Sequence, residues 1–242
     1  MITRSRIRKR KYPTTVTRSV RRRSNVVRRR ALRGFSRAMV PRGQRSFASV
    51  GVGLPMKMKI THRYVEIIQS MAAGAAPATQ VFRCNSTFDP NFTGGGHQPL
   101  YRDQMAALYN KYVVVGASIT LKLALNNYGS PVTRILLYQS TDSAPTTNTA
   151  ELYEQNRCKQ VILATGGVRT ATLVSKFNTR RWFGKDPLDN DEVQAQAGNN
   201  PADQVYWIVR AFSDSGTDTS VNVTATIKYH TIWFDPLEVS LS

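Results

Sequence analysis

Residues 56–68 read MKMKITHRYVEII. Met56, Met58, Ile60, His62 and Tyr64 take one set of alternate positions and Lys57, Lys59, Thr61 and Arg63 the other, with Val65, Ile67 and Ile68 following. Successive side chains of an extended chain point to opposite faces, so a period of two marks a strand with one face buried and one turned to water. An amphipathic helix needs a period of about 3.6, which this stretch lacks.

Working toward the carboxyl terminus, runs rich in β-branched and aromatic residues predict seven more strands, at 79–85, 112–125, 132–139, 158–163, 170–177, 204–212 and 221–234. Residues 70–78, rich in Ala and Gly with Pro77, read as a turn, and 126–131, 164–169 and 213–220 read as tight turns. The connections 86–110, 140–156 and 178–203 are long. The first holds a short helical piece at 101–109 and the second one at 150–155. The seven connections therefore run short, long, short, long, short, long, short. A jelly roll is two Greek keys in two packed sheets. Its connections alternate between the two ends of a wedge, so one end can carry every short loop and the other every long one. A meander has no reason to alternate. The expected fold is all-β, an eight-stranded jelly roll preceded by a disordered Arg-rich arm.

Toward the amino terminus the composition changes. Gly34, Pro41, Gly43, Gly51, Gly53 and Pro55 punctuate a hinge over 34–55. Before it and into its first part stand Arg4, Arg6, Arg8, Lys9, Arg10, Lys11, Arg18, Arg21, Arg22, Arg23, Arg28, Arg29, Arg30, Arg33, Arg37, Arg42 and Arg45, half of the chain's 34 Lys and Arg, with no Asp or Glu before Glu66. The rest of the chain carries 17 basic and 15 acidic residues, so all but +2 of the formal +19 belongs to the arm. Like charges repel, and few apolar residues are available to offset the lost chain entropy. Residues 1–45 are expected to be an arm ordered only by a polyanion, and residues 46–242 one folded domain. Arg outnumbers Lys, and its planar fork meets phosphate oxygens two at a time. These 17 side chains are the candidate nucleic-acid-binding residues, and basic runs of this kind also serve nuclear import. Val16, Val20, Val26, Val27, Leu32 and Phe35 form no sustained amphipathic stripe, no apolar core follows the first basic cluster, and no apolar run reaches spanning length. Neither a membrane partner nor a secretory signal is expected.

The residues that carry chemistry elsewhere are scattered. Cys84 and Cys158 make no disulfide framework or zinc spacing and read as buried small side chains in a reducing compartment. His62, His97 and His230 form no metal motif; the first and last read as structural residues on strands, and His97 as a loop anchor. Gly94-Gly95-Gly96 and Gly166-Gly167 read as turns, since neither has a phosphate-loop context. Asp186, Asp189, Asp191 and Glu192 cluster in the longest loop and read as a solvated or subunit-contacting segment. The sequons at Asn85, Asn91 and Asn222 read as chance. Trp182-Phe183, between Arg180, Arg181 and Lys185, reads as a packing pair before a base contact, whereas Tyr12, Phe35 and Phe47 are equal candidates for base stacking and packing. No catalytic residue, metal or cofactor is expected, and the chain reads as a non-enzyme.

The segment Phe88-Asp89-Pro90, Gly94-Gly95-Gly96-His97-Gln98-Pro99, Asp103-Gln104, Leu108-Tyr109-Asn110, Tyr112 and Val115-Gly116-Ala117-Ser118, behind an Arg-rich arm, resembles the capsid proteins of circoviruses and related small circular single-stranded DNA viruses. The terminal Trp233-Phe234-Asp235-Pro236 is compatible with that group. The resemblance implies a viral jelly roll that assembles with itself into a small T=1 icosahedral shell of sixty copies. It also implies a packaged single-stranded DNA genome, and a virion protein that reaches the host nucleus through import receptors that read the arm. It identifies no host cell-surface attachment factor. The residues themselves leave two other readings open: a nucleic-acid-binding movement or shuttle protein of a similar virus, and the jelly-roll capsid of an RNA virus.

Overall fold

The computed structural model describes residues 53–74, 76–126, 131–144, 146, 148–216 and 219–238. Among these, nine strands form: β1 (Lys57–Ala73), β2 (Ala78–Arg83), β3 (Tyr109–Leu125), β4 (Thr133–Ser140), β5 (Lys159–Leu163), β6 (Thr170–Asn178), β7 (Gln194–Gln196), β8 (Tyr206–Ser213) and β9 (Thr219–Pro236). Three short helices accompany them: α1 (Arg102–Ala106), α2 (Thr149–Glu154) and α3 (Thr179–Phe183). One sheet has the order β1-β9-β3-β6, with β7 also on β3; the other has the order β2-β8-β4-β5. Every pairing is antiparallel. Read position by position, the two orders match sequence neighbours: β1 with β2, β9 with β8, β3 with β4, β6 with β5. That pattern, two sheets sharing alternate strands of one wound hairpin, is the jelly roll.

The core lies between the sheets. Tyr64, Phe82, Tyr112, Ile119, Leu121, Trp207, Tyr229 and Trp233 are fully buried there. At about 25 cal/mol per Å², each such aromatic ring contributes roughly 4–6 kcal/mol before its ordering entropy is subtracted. The outward face of the second sheet carries an apolar cluster between Arg83, Arg134 and Arg210. Val81, Leu136, Tyr138, Tyr206, Ile208 and Phe212 form a separate cluster there, and Leu152 of α2 is buried in it.

The loops sort by length as the alternation predicts. Residues 84–108, 141–158 and 179–205 meet at one end: Asn85 Nδ2 donates to Asp203 O at 2.7 Å, Ser86 Oγ to Asn200 Oδ1 at 2.6 Å, and the Arg157 guanidinium lies 5.5 Å from the Trp182 ring centroid. The short connections meet at the other, where Leu125 N–H donates to Arg169 O, Asn126 N–H to Ser220 O and Ser213 N–H to Gly74 O.

Four expectations need correction. β1 does not stop at Ile68 but runs to Ala73 through a bulge between Ile68 and Met71. Ser70 takes φ 58° there and donates its N–H to Asn222 Oδ1 at 3.0 Å, so the inward face changes from Ile60, His62 and Tyr64 to Met71 and Ala73. An extra residue in one strand has this effect, and it hides the strand from a period-two reading. Met56 and Met58 fall in phase with the buried face yet are 72% and 39% exposed, because they stand where β1 begins at the end of the wedge. The 178–203 connection is no plain loop. It holds α3, single 3-10 turns at Pro187–Asp189 and Asp191–Val193, and the ninth strand β7, which pairs Gln194–Gln196 with Lys111–Val113. The helix expected over 101–109 covers only Arg102–Ala106, and β3 starts at Tyr109. Residues 127–130, most of one expected turn, lie outside the described residues.

Candidate assembly surface

All 17 candidate nucleic-acid-binding residues, Arg4 through Arg45, lie outside the described residues, as do Tyr12, Phe35 and Phe47. The site that can be built from side chains is the long-loop end of the wedge.

Its anchor is Arg83, the last residue of β2 and nearly buried. Nε donates to Gln204 Oε1 at 2.6 Å; Nη1 donates to Asp89 Oδ2 at 2.6 Å and to Asp89 O at 2.7 Å. The guanidinium lies over the Phe92 ring at 4.8 Å, and the Arg83 carbonyl accepts from Tyr229 OH at 2.7 Å. One buried cation thus ties the 84–108 loop to the start of β8. Beside it, Asn85 spans the same gap, donating to Asp203 O and accepting from Val205 N–H at 3.0 Å. Ser86 Oγ lies 3.0 Å from Tyr112 OH, and Tyr112 OH donates to Asn199 O at 3.0 Å. Buried polar groups must be paired or they destabilise, and Arg83, Asn85, Ser86 and Tyr112 are paired between loops.

The far part of the same loop rests on β1 and β9. Trp233 Nε1–H donates to His62 Nε2 at 3.0 Å, which leaves the proton on Nδ1 to donate to Leu100 O at 3.2 Å. Burial lowers the His62 pKa below the ordinary 6.5. His97 stacks on Tyr64 at 4.8 Å, and Tyr64 OH donates to Glu66. A Cβ on Gly96 would meet Tyr64 Oη at 2.5 Å and Asn91 Cβ at 2.9 Å, so only glycine fits under that ring. Next along the chain, Tyr101 takes φ 64°, a left-handed conformation rare outside glycine, and is 73% exposed; Leu100 is 72% exposed. Leu54, Met56, Leu108 and Leu237 add to this apolar rim, with Tyr109 OH donating to Pro55 O at 2.9 Å and Leu237 N–H to Leu108 O at 2.9 Å. Exposed apolar side chains gathered on hydrogen-bonded loops are the composition of a protein contact.

The other expected residues fall into place as structure. Cys84 is buried, and burial pushes its thiol well up, so it is no nucleophile; Cys158 is only half buried, against the outward cluster of the second sheet, which corrects the expectation for it. His230 accepts or donates one hydrogen bond with Thr61 Oγ1 at 3.0 Å. Asn85 and Asn91 of the sequons are buried. Trp182 packs on Phe177 at 5.9 Å. Asp186 caps the Leu188 N–H and lies 4.0 Å from Arg180. Sequence reasoning missed the roles of Arg83, Gln204, Asp203 and Asn200. Their only sequence signal is polarity, because the pairs that close the gap, Arg83 with Gln204, Asn85 with Asp203 and Ser86 with Asn200, are more than a hundred residues apart.

The chain matches no protein-family model and no curated protein. Among solved structures it is similar to Desmodium yellow mottle tymovirus (TM-score 0.44, 14% identity, 83% of this chain and 99% of that one). It is likewise similar to tobacco necrosis virus (0.45, 11%, 77% and 86%) and to mud crab tombus-like virus (0.44, 12%, 99% and 96%). The fold assignment rests on the strand connectivity of the chain itself.

Proposed function

We propose that this protein is a non-enzymatic viral capsid subunit that assembles with copies of itself into a small icosahedral shell. In this reading the arm, residues 1–45, packages a single-stranded DNA genome and carries the subunit to the host nucleus. The observation that carries the reading is the combination of a jelly roll, whose long loops lock together into an apolar-rimmed end, with 17 arm cations uncompensated by any acid before Glu66. Sixty copies would bring about a thousand arm charges together, enough to neutralise much of a polyanion of similar length, with about 0.7 counterions released per single-strand contact. Linking the arms through a shell makes each contact local to the next. Repulsion between arms opposes assembly until the polyanion is present.

Electron microscopy of the full-length protein tests the reading. Closed particles are expected, and a protein that stays as single molecules at every ionic strength, with or without oligonucleotide, overturns it in favour of a movement or shuttle protein. Replacing Arg21, Arg22, Arg23, Arg28, Arg29 and Arg30 by Ala should abolish encapsidation while the jelly roll stays folded. Phosphate contacts do not tell DNA from RNA. Nuclease digestion of the nucleic acid recovered from particles separates the DNA reading from that of an RNA-virus capsid.

A further inference from the structure

Near neutrality of the residues after the arm conceals a segregation that only the strand register reveals. Along β1, β9, β3 and β6 the outward positions are those that pair across the sheet, beginning from Arg63 with Lys228, Lys228 with Ser118, and Ser118 with Lys176. Following that parity places Lys57, Lys59, Arg63, Lys111, Lys122, Lys176 and Lys228 on one face, all exposed. No Asp or Glu occupies an outward strand position there; Glu66 points the other way, to Tyr64. None of the seven takes part in the ion pairs found among the described residues, which use Arg83, Arg102, Arg134 and Arg180. Between them lie hydroxyls, among them Thr61, Ser118, Thr120, Thr224 and Thr226. The face is concave at both ends: a cleft of ≈ 620 Å³ reaches Lys59, His230 and the Arg180–Asp186 pair, and one of ≈ 520 Å³ reaches Lys122, Thr172 and Thr224.

We infer that this sheet face is a second binding surface for the phosphate backbone of single-stranded nucleic acid, separate from the arm; the inference deepens the capsid reading and rests on it. Two features favour this occupant. Arg63 stands directly opposite Lys228 across the β1–β9 ladder, and like charges so placed repel; a bound polyanion converts that repulsion into attraction. Lys with Ser and Thr hydroxyls is the usual equipment for phosphate and sugar contact, whereas the centre of a protein–protein contact is depleted in Lys and enriched in aromatic residues; the outward positions from the Thr61–His230 pair to the Ala124–Asn222 pair hold no Phe, Tyr or Trp, and Phe234 stands only at the rim, between Lys57 and Lys111. The outward face of the second sheet makes the contrast: it carries an apolar cluster that includes Leu152, and its three arginines are already engaged, Arg83 with Asp89, Arg134 with Asp214 and Arg210 with Thr79.

The test titrates the full-length chain with a fluorescent oligothymidylate over a range of salt. Lys59→Gln, Arg63→Gln, Lys176→Gln and Lys228→Gln are combined in one variant; Lys159→Gln, Arg181→Gln and Lys185→Gln, exposed cations off this face, form the control. The slope of log affinity against log salt should fall in magnitude by about 0.7 per face charge removed and by much less per control charge. The charge-retaining variant Lys59→Arg, Arg63→Lys, Lys176→Arg and Lys228→Arg should restore the slope, which separates charge from folding. A face variant whose slope drops no more per charge than the control overturns the inference. If that variant keeps its slope but loses particle formation, the surface is a contact between copies instead. A slope drop in a protein that never forms particles keeps the surface and removes the capsid reading.

Discussion

Arg83 shows how one side chain can hold two loops. Arg83→Met keeps the aliphatic volume but leaves the Asp89 carboxylate without its guanidinium donor and Gln204 Oε1 with only the Tyr206 hydroxyl at 3.3 Å. Because Asp89 is 40% exposed and regains water, the expected loss is about 2–3 kcal/mol, below that for a fully buried pair, read as a lower urea midpoint at unchanged slope. Gly96→Ala should cost about 1–3 kcal/mol through overpacking against Tyr64 and Asn91. Gly95→Ala, with nothing within 4 Å of the added carbon, should be near neutral in the same measurement. His62 gives the molecule a pH dependence. Burial depresses its folded pKa below the 6.5 it regains on unfolding, so the unfolded chain binds the proton more readily. Its contribution is complete above 6.5 and is lost as pH falls below that value toward the folded pKa. Protonation would also put an N–H on Nε2, against the Trp233 N–H. A thermal melt series should show the native protein losing stability below pH 6.5 more steeply than His62→Gln does.

At the scale of elements, α2 is too short to be stable alone, and its place is set by tertiary burial. Asn148 caps it, its Oδ1 accepting from Ala150 N–H at 3.1 Å, and Leu152 fills the outward cluster of the second sheet. Leu152→Ala should cost roughly 2–4 kcal/mol and raise amide exchange across 148–158 more than in the first sheet. Most strands were legible in the sequence because alternation or a dense β-branched run is a local property: 112–125 and 170–177 differ from β3 and β6 by three residues at most. β7 was not legible. Three residues carry no period, and Gln194–Gln196 is extended because Lys111–Val113 offers it a ladder. The bulge at Ile68 hid the last third of β1 for a related reason: it breaks the very period that reveals a strand.

At the scale of the whole molecule, the three long loops meet at one end through hydrogen bonds and the Arg157–Trp182 contact, and Leu100 and Tyr101 stand in water there. Leu100→Glu with Tyr101→Glu should leave the melting temperature almost unchanged, because neither side chain is in the core. The pair should prevent particle formation when followed by light scattering, because a charge cannot be buried unpaired at a contact between copies. The arm's candidate residues were visible from composition alone, since net charge is a sum and needs no fold. The long-loop end was visible in part: the alternation of loop lengths predicted that the loops gather there, but not which side chains join them.

What the sequence determined by itself is therefore what adds up along the chain: where most strands lie, the rhythm of long and short connections that selects a jelly roll, and the concentration of 17 cations before residue 46. What the tertiary structure alone decided is the company each residue keeps. Arg63 lies beside Lys228, Arg83 beside Gln204 and His62 beside Trp233 because β1, β2, β8 and β9 become neighbours on folding. Hydrophobic periodicity tells each strand which face to bury, but ladder pairing between distant strands sets who stands next to whom.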